Sequence, residues 1–109
     1  MTITYEYYEG QLVEILPELL LFMTQSIKNA DCVKVGITAN PKIQWQIHSS
    51  DKEKWSKMIV VFQNSSIIQV RTLEKAMVAH GKKYVKNIKS GAGENRTKGT
   101  QHVYFLVRN

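Results

Sequence analysis

Three stretches in the middle of the chain decide the fold: KVGITANPKIQWQIH at residues 34–48, MIVVF at 58–62 and QVRTLEKAMVAH at 69–80. The first begins with apolar residues at every second position, the period of a strand, and continues through an Asn-Pro turn into a short helix. The second is a continuous apolar run, which is typical of a strand inside a sheet. The third has apolar residues three and four positions apart, which predicts an amphipathic helix.

Sequence signals outside these stretches predict the remaining boundaries. A helix is expected over residues 17–29, because proline suits the first helical position. Ser66 with Gln69 fits a capping box at the start of the third stretch, and Gly81 is positioned to be the C-cap at its end. Residues 102–107 are aromatic and β-branched, which predicts a closing strand.

Three segments are less sharply defined. The opening ITYEYY, at residues 3–8, is either a short strand or an ordered tail, and residues 82–89 are either helical or irregular. Residues 90–101 are polar and contain glycine, which predicts a loop. The order of elements predicts an α/β or α+β fold in one domain, residues 1–109, with a small central sheet of about three strands flanked by helices.

Composition excludes several classes of protein. The chain has 109 residues, of which 43% are hydrophobic, and Cys32 is its one cysteine, so an internal disulfide framework and a zinc ribbon are both excluded. Its three histidines show no HxxxH spacing. The longest apolar run, Leu19 to Met23, is too short to cross a bilayer, and the first residues do not resemble a secretion signal. We therefore expect an intracellular protein with no membrane partner.

Positive charge is concentrated in the last third of the chain. Residues 1–70 hold six lysines against seven acids, whereas residues 71–109 hold nine bases against two acids, a balance of +7. Such an excess beside glycine-containing sequence is typical of proteins that bind polyanions, although a solvated basic face has the same composition. The candidate nucleic-acid contacts are Lys82, Lys83, Lys86, Lys89, Arg96 and Lys98.

Two short motifs give the sequence a resemblance. VGIT at residues 35–38 leads to Asn40-Pro41, and LEKA at 73–76 lies on the predicted helix after the next apolar strand. In this order, over residues 33–80, they resemble the core of the GIY-YIG nuclease superfamily. The resemblance implies a small α/β domain that acts on nucleic acid, with DNA favoured over RNA. A stand-alone domain of this type is associated with mobile elements and viruses.

The sequence departs from the family pattern at three points. Lys34 stands where the second motif has tyrosine, and Gln44 stands where the family has arginine. The first motif strand is missing, because a helix is predicted ahead of the second motif. Residues 102–107 would restore that strand as in a circular permutation, and Tyr104 would then take the place of its tyrosine.

The resemblance implies roles for three residues. Glu74 would hold a divalent metal, Mg²⁺ or Mn²⁺, Tyr104 would act as a general base or orienting group, and Lys34 would stabilise phosphate charge. One carboxylate suffices for Mg²⁺ when phosphate oxygens and water complete its coordination. Without the resemblance, Glu74 would be interpreted as the acidic partner of neighbouring bases on an exposed helix face. Gln44 carries no charge, so phosphodiester hydrolysis is expected to be weak or absent.

The sequence therefore predicts a nucleic-acid-binding GIY-YIG-like domain with a weak or inactive metal-dependent endonuclease centre. The first alternative is a non-catalytic DNA- or RNA-binding module of the same fold. The second is a protein–protein adaptor whose basic face meets an acidic partner. Sensitivity of binding to salt and competition by DNA separate nucleic acid from a hydrophobic protein interface.

Overall fold

The computed structural model describes residues 2–50, 54–85, 87–90 and 99–108. Over these residues the chain forms three helices and five strands, and the predicted α/β class is confirmed. Their bounds are β1 (Thr2–Tyr5), α1 (Leu12–Ile27), β2 (Cys32–Thr38), α2 (Pro41–Ser49), β3 (Lys57–Asn64), α3 (Ile67–Gly81), β4 (Ile88–Ser90) and β5 (Gln101–Arg108).

The sheet is mixed, and its central strand comes from the end of the chain. The strand order is β1-β3-β5-β2-β4, so β5 lies between β3 and β2 and is antiparallel to both. The two outer pairs, β1 with β3 and β2 with β4, are parallel. The expectation of about three strands was too low, because both edge strands are short. Residues 3–8 had left a strand open, whereas the prediction that residues 82–89 are helical or irregular was wrong at Ile88 and Lys89, which belong to β4.

Both faces of β5 are covered, which explains its unbroken apolar sequence. Val103, Phe105 and Val107 pack against α1 and α3 on what we call the α1–α3 face. Tyr104 and Leu106 point to the other side, called the α2 face, where partly buried Trp45 of α2 packs on the same cluster. The structure therefore buries both alternating sets of β5 side chains.

Helix α1 begins at Leu12, five residues before the predicted start, and contains Pro17 in its interior. A proline lacks the N–H that would bond to the carbonyl four residues earlier, here that of Val13. Val13 is 76% exposed, so water can reach this region of the backbone. The buried stripe Ile15, Leu19, Met23 and Ile27 then holds the helix against the sheet.

Gly81 is the last residue of α3 rather than its C-cap, because the cap is Lys82 in a right-handed conformation. A Cβ atom at Gly81 would collide with the side chain of Ile88 on β4. The glycine therefore serves close packing between α3 and β4, and the prediction that Gly81 is the C-cap was wrong.

Three other predicted elements are confirmed with small extensions. Helix α2 covers the predicted residues from Pro41, and the Asn40 side chain accepts a hydrogen bond from the backbone N–H of Ile43. Ser66 caps α3 by accepting from the N–H of Gln69. The apolar run at residues 58–62 forms most of β3.

Candidate functional site on the α2 face

Tyr104 and Gly36 are the centre of the α2 face. They are register partners on neighbouring strands β5 and β2. A Cβ atom built on Gly36 would collide with the Tyr104 hydroxyl and lie 2.6 Å from its Cζ. Because glycine has no side chain, the phenol can lie across β2 and reach the helix beyond it.

A polar chain then runs from the strand to the helix. The Tyr104 hydroxyl lies 3.2 Å from Nε2 of His48, and the Nε2 amide of Gln44 lies 3.1 Å from the same imidazole nitrogen. The Thr38 hydroxyl donates to Oε1 of Gln44 at 3.5 Å. With the amide in this orientation its nitrogen can only donate, so His48 Nε2 is the acceptor and the phenol of Tyr104 donates to it.

This phenol–imidazole pair has the geometry of a proton-transfer couple, but it is enclosed. Tyr104 is 2% exposed and His48 is 5% exposed. The two rings also contact each other, with centroids 6.0 Å apart. In this conformation the hydrogen bond between the two side chains joins α2 to the sheet within a buried layer.

Two lysines lie side by side on the same face. Lys34 of β2 and Lys89 of β4 are register partners in the parallel pair, so their side chains project together. Lys34 is half-buried and Lys89 is exposed. Two ammonium groups in this arrangement present positive charge to an anion from one direction, and phosphate is the anion that such lysines bind in nucleic acids.

Glu74 lies on the opposite side of the sheet. Its helix, α3, packs through Val70, Leu73 and Met77 on the α1–α3 face. The half-exposed Glu74 lines a groove of about 200 Å³ with Lys75 and Lys82. The structure therefore brings Lys34 and Tyr104 onto one face and places Glu74 on a helix of the other.

Within the described part of the chain, no three His, Cys, Asp or Glu side chains converge as metal ligands. Lys82 and Lys83 are exposed directly after α3. Three further predicted contacts lie outside the described residues: Lys86, Arg96 and Lys98.

Two other histidines make hydrogen bonds that the sequence did not reveal. Nε2 of His80 lies 2.6 Å from the Thr24 hydroxyl, which joins α3 to α1, and burial is the largest cause that lowers the pKa of His80. Nδ1 of His102 lies 2.9 Å from the Tyr7 hydroxyl, and burial lowers the pKa of His102 as well. Both imidazoles are therefore neutral at neutral pH.

His48 is the functional candidate that sequence reasoning missed. The helical period placed it with Trp45 on one face of α2, which is the face the structure buries. Its position four residues after Gln44 was the available signal, because residues at this spacing are neighbours on a helix. The partner Tyr104 is 56 positions away, and no local pattern reports such a contact.

Comparison with known proteins finds no matching family model, no matching curated sequence and no matching solved structure. Among the described helices, none combines the length and the apolar character that crossing a membrane requires.

Proposed function

We propose that this chain is a nucleic-acid-binding domain of GIY-YIG-like type that holds its ligand through phosphate groups. The observation that carries the proposal is the pairing of Lys34 with Lys89 on the face that contains Tyr104. Residues 71–109 supply the wider positive field, with a balance of +7. Phosphate contacts of this kind provide affinity without sequence preference.

The central position of β5 supports the permuted form of the GIY-YIG resemblance. A strand that replaces a missing first motif has to lie beside the second motif strand, and β5 pairs with β2 along its whole length. Tyr104 then stands opposite Gly36, the glycine of the VGIT motif. Tyr104 is accordingly the residue that we assign to the tyrosine of the absent strand.

Cleavage of the bound nucleic acid is proposed to be slow or absent. The Tyr104 hydroxyl is buried under α2, so it reaches a phosphate only if the helix moves. Gln44 donates to His48 where the family's arginine would supply a fixed positive charge. Removing one such electrostatic group from an active site typically costs on the order of 10²–10³ in rate.

Glu74 is the residue that would hold Mg²⁺ or Mn²⁺. Its carboxylate is half-exposed and lines an open groove, which suits a single oxygen ligand whose metal completes its coordination with phosphate oxygens and water. A metal bound there would supply positive charge to a phosphodiester. Since Glu74 lies across the sheet from Lys34 and Lys89, such a metal would act on phosphate bound in the α3 groove, beside Lys75 and Lys82, and not on phosphate held by the lysine pair.

Binding experiments with labelled nucleic acids test the proposal against a protein–protein adaptor. We expect short duplex DNA, and more weakly duplex RNA of the same sequence, to bind at low salt and to be released as salt rises. Unlabelled DNA should compete. Absence of binding to either nucleic acid at low salt would contradict the proposal and leave the adaptor.

A further inference from the structure

Three aromatic rings form a continuous row on the α2 face, away from the Tyr104–His48 pair. The rings of Tyr5 and Tyr7 have centroids 5.8 Å apart, and those of Tyr7 and His102 have centroids 5.9 Å apart. The hydrogen bond between the Tyr7 hydroxyl and Nδ1 of His102 fixes the last two rings relative to each other. The row crosses from the edge strand β1 to the central strand β5.

The row shares its face with the two lysines. Tyr5 is the register partner of Val60, which belongs to the apolar cluster of the α2 face. Tyr7 packs against the same cluster. His102 is two positions from Tyr104 along β5, and side chains at this spacing project to the same side of a strand.

The rings are accessible, which a purely structural row does not require. Tyr5 is 47% exposed, and Tyr7 and His102 are both half-buried. Exposed aromatic rings on a sheet whose same face carries lysines that take phosphates are the arrangement with which proteins bind single strands. His102 is neutral at neutral pH because burial lowers its pKa, so its ring can stack as an uncharged aromatic surface.

We propose that Tyr5, Tyr7 and His102 form a stacking platform for unpaired nucleobases. The inference rests on the proposed function, because it takes for granted that Lys34 and Lys89 hold the phosphates of the same strand. It adds the class of ligand: a single strand, or a duplex end or bulge, whose bases are free to leave their own stack. The tyrosines provide π-surfaces that accept any base, so little sequence preference is expected.

A comparison of two oligomers of equal length separates bases from phosphates in the unaltered protein. One is oligothymidylate, and the other is an abasic strand with the same number of phosphates. We expect oligothymidylate to bind at least about fivefold more tightly, since one stacked base on an aromatic side chain contributes roughly that factor or more. A matched duplex without free ends should lose this advantage.

Variants of Tyr5 then locate the stacking surface. Tyr5→Ala should lower the affinity for oligothymidylate about fivefold or more and leave the abasic strand unaffected, whereas Tyr5→Phe should retain the wild-type affinity because it keeps the ring. Tyr84→Ala is the matched control: Tyr84 is 49% exposed and contacts His80 at the end of α3. Urea unfolding of each variant checks that the fold is intact.

Each result decides one question. Equal affinity of the wild type for the two oligomers would overturn the stacking platform, and so would an equal loss in Tyr5→Ala and Tyr84→Ala. Those results would leave phosphate binding standing. Failure of both oligomers and of duplex DNA to bind at low salt would instead overturn the proposed function on which the platform rests.

Discussion

At the scale of single residues, the contact between Gly36 and Tyr104 is the tightest link in the candidate site. The phenol occupies the space that a side chain at Gly36 would need, and it reaches His48 as a result. We expect Gly36→Ala to destabilise the fold by about 1–3 kcal/mol, the usual cost of overpacking a dense core. Urea unfolding measures the change.

The double variant Gly36→Ala/Tyr104→Phe tests whether the Tyr104 hydroxyl causes the destabilisation by Gly36→Ala. Tyr104→Phe removes the atom that the new methyl group would meet first, so the cost of the double variant should be smaller than the sum of the two single costs. Strictly additive free energies would show that the two residues do not compete for the same space.

A second residue-scale prediction concerns catalysis. We expect no plasmid nicking, or slow nicking that requires Mg²⁺ or Mn²⁺ and stops with a chelator. Glu74→Ala should abolish any such nicking and leave DNA binding nearly intact, because removing an acid does not weaken the attraction to phosphate. Gln44→Arg alone should not raise the rate, because its permanent charge beside His48 would lie across the sheet from Glu74.

Plasmid conversion by wild type and both variants checks these expectations. Robust cutting that persists in Glu74→Ala would contradict the assignment of Glu74. Rapid metal-dependent cutting by the wild type would contradict the view that the buried phenol and Gln44 make turnover slow.

The sequence predicts the role of a residue when its partner is near in the chain. It does not predict a role that depends on a contact with a distant residue. Ser66 was predicted correctly as a cap because its bonding partner Gln69 is three positions away. His48 was missed because its partner is on another element. Gly81 was misread because its neighbour Ile88 lies on a strand that local propensity did not reveal.

At the scale of elements, the position of β5 determines whether the sheet exists. β5 lies between β3 and β2, so its removal leaves each of these strands without its hydrogen-bonded neighbour on that side. Truncation after Gln101 should therefore abolish cooperative unfolding in urea, followed by circular dichroism. A truncation of Arg108 and Asn109 alone is the control.

The control removes the end of β5, with the Arg108–Asp31 ion pair and the backbone hydrogen bond from the Asp31 N–H to the Arg108 carbonyl. Arg108 lies 3.7 Å from Asp31, whose side chain is 72% exposed, and exposed pairs contribute little to stability. The control should therefore unfold cooperatively. Cooperative unfolding of the longer truncation at a similar urea concentration would show that β5 is dispensable.

Most elements follow from the sequence because their apolar period and their caps agree. Helices α2 and α3 have both signals, strands β2, β3 and β5 have the apolar pattern, and each lies close to its predicted bounds. The start of α1 differs because a buried stripe that begins at Ile15 outweighs the preference of Pro17 for the first turn. The three-residue β4 is too short to show a period, and pairing with β2 defines it.

At the scale of the whole molecule, the two faces of the sheet are chemically different. The α1–α3 face carries the larger apolar cluster and is covered by two helices. The α2 face carries the polar chain around Tyr104, the lysine pair and the aromatic row. A ligand that approaches the α2 face therefore meets positive charge and accessible rings together.

The salt dependence of DNA binding tests the central claim most directly. On duplex DNA, the logarithm of the affinity falls with the logarithm of salt by about 0.9 for each phosphate neutralised. If Lys34 and Lys89 each hold a phosphate, the double variant Lys34→Gln/Lys89→Gln should lower that slope by about 1.8. A second double variant, Lys28→Gln/Lys57→Gln, is the matched control, because it also removes one exposed and one half-buried lysine.

We expect the control variant to keep the slope of the wild type. The Lys34→Gln/Lys89→Gln variant should bind DNA more weakly at low salt and have a shallower slope. An unchanged slope in the Lys34→Gln/Lys89→Gln variant, or an equal change in both double variants, would contradict the claim that this face of the sheet holds nucleic acid.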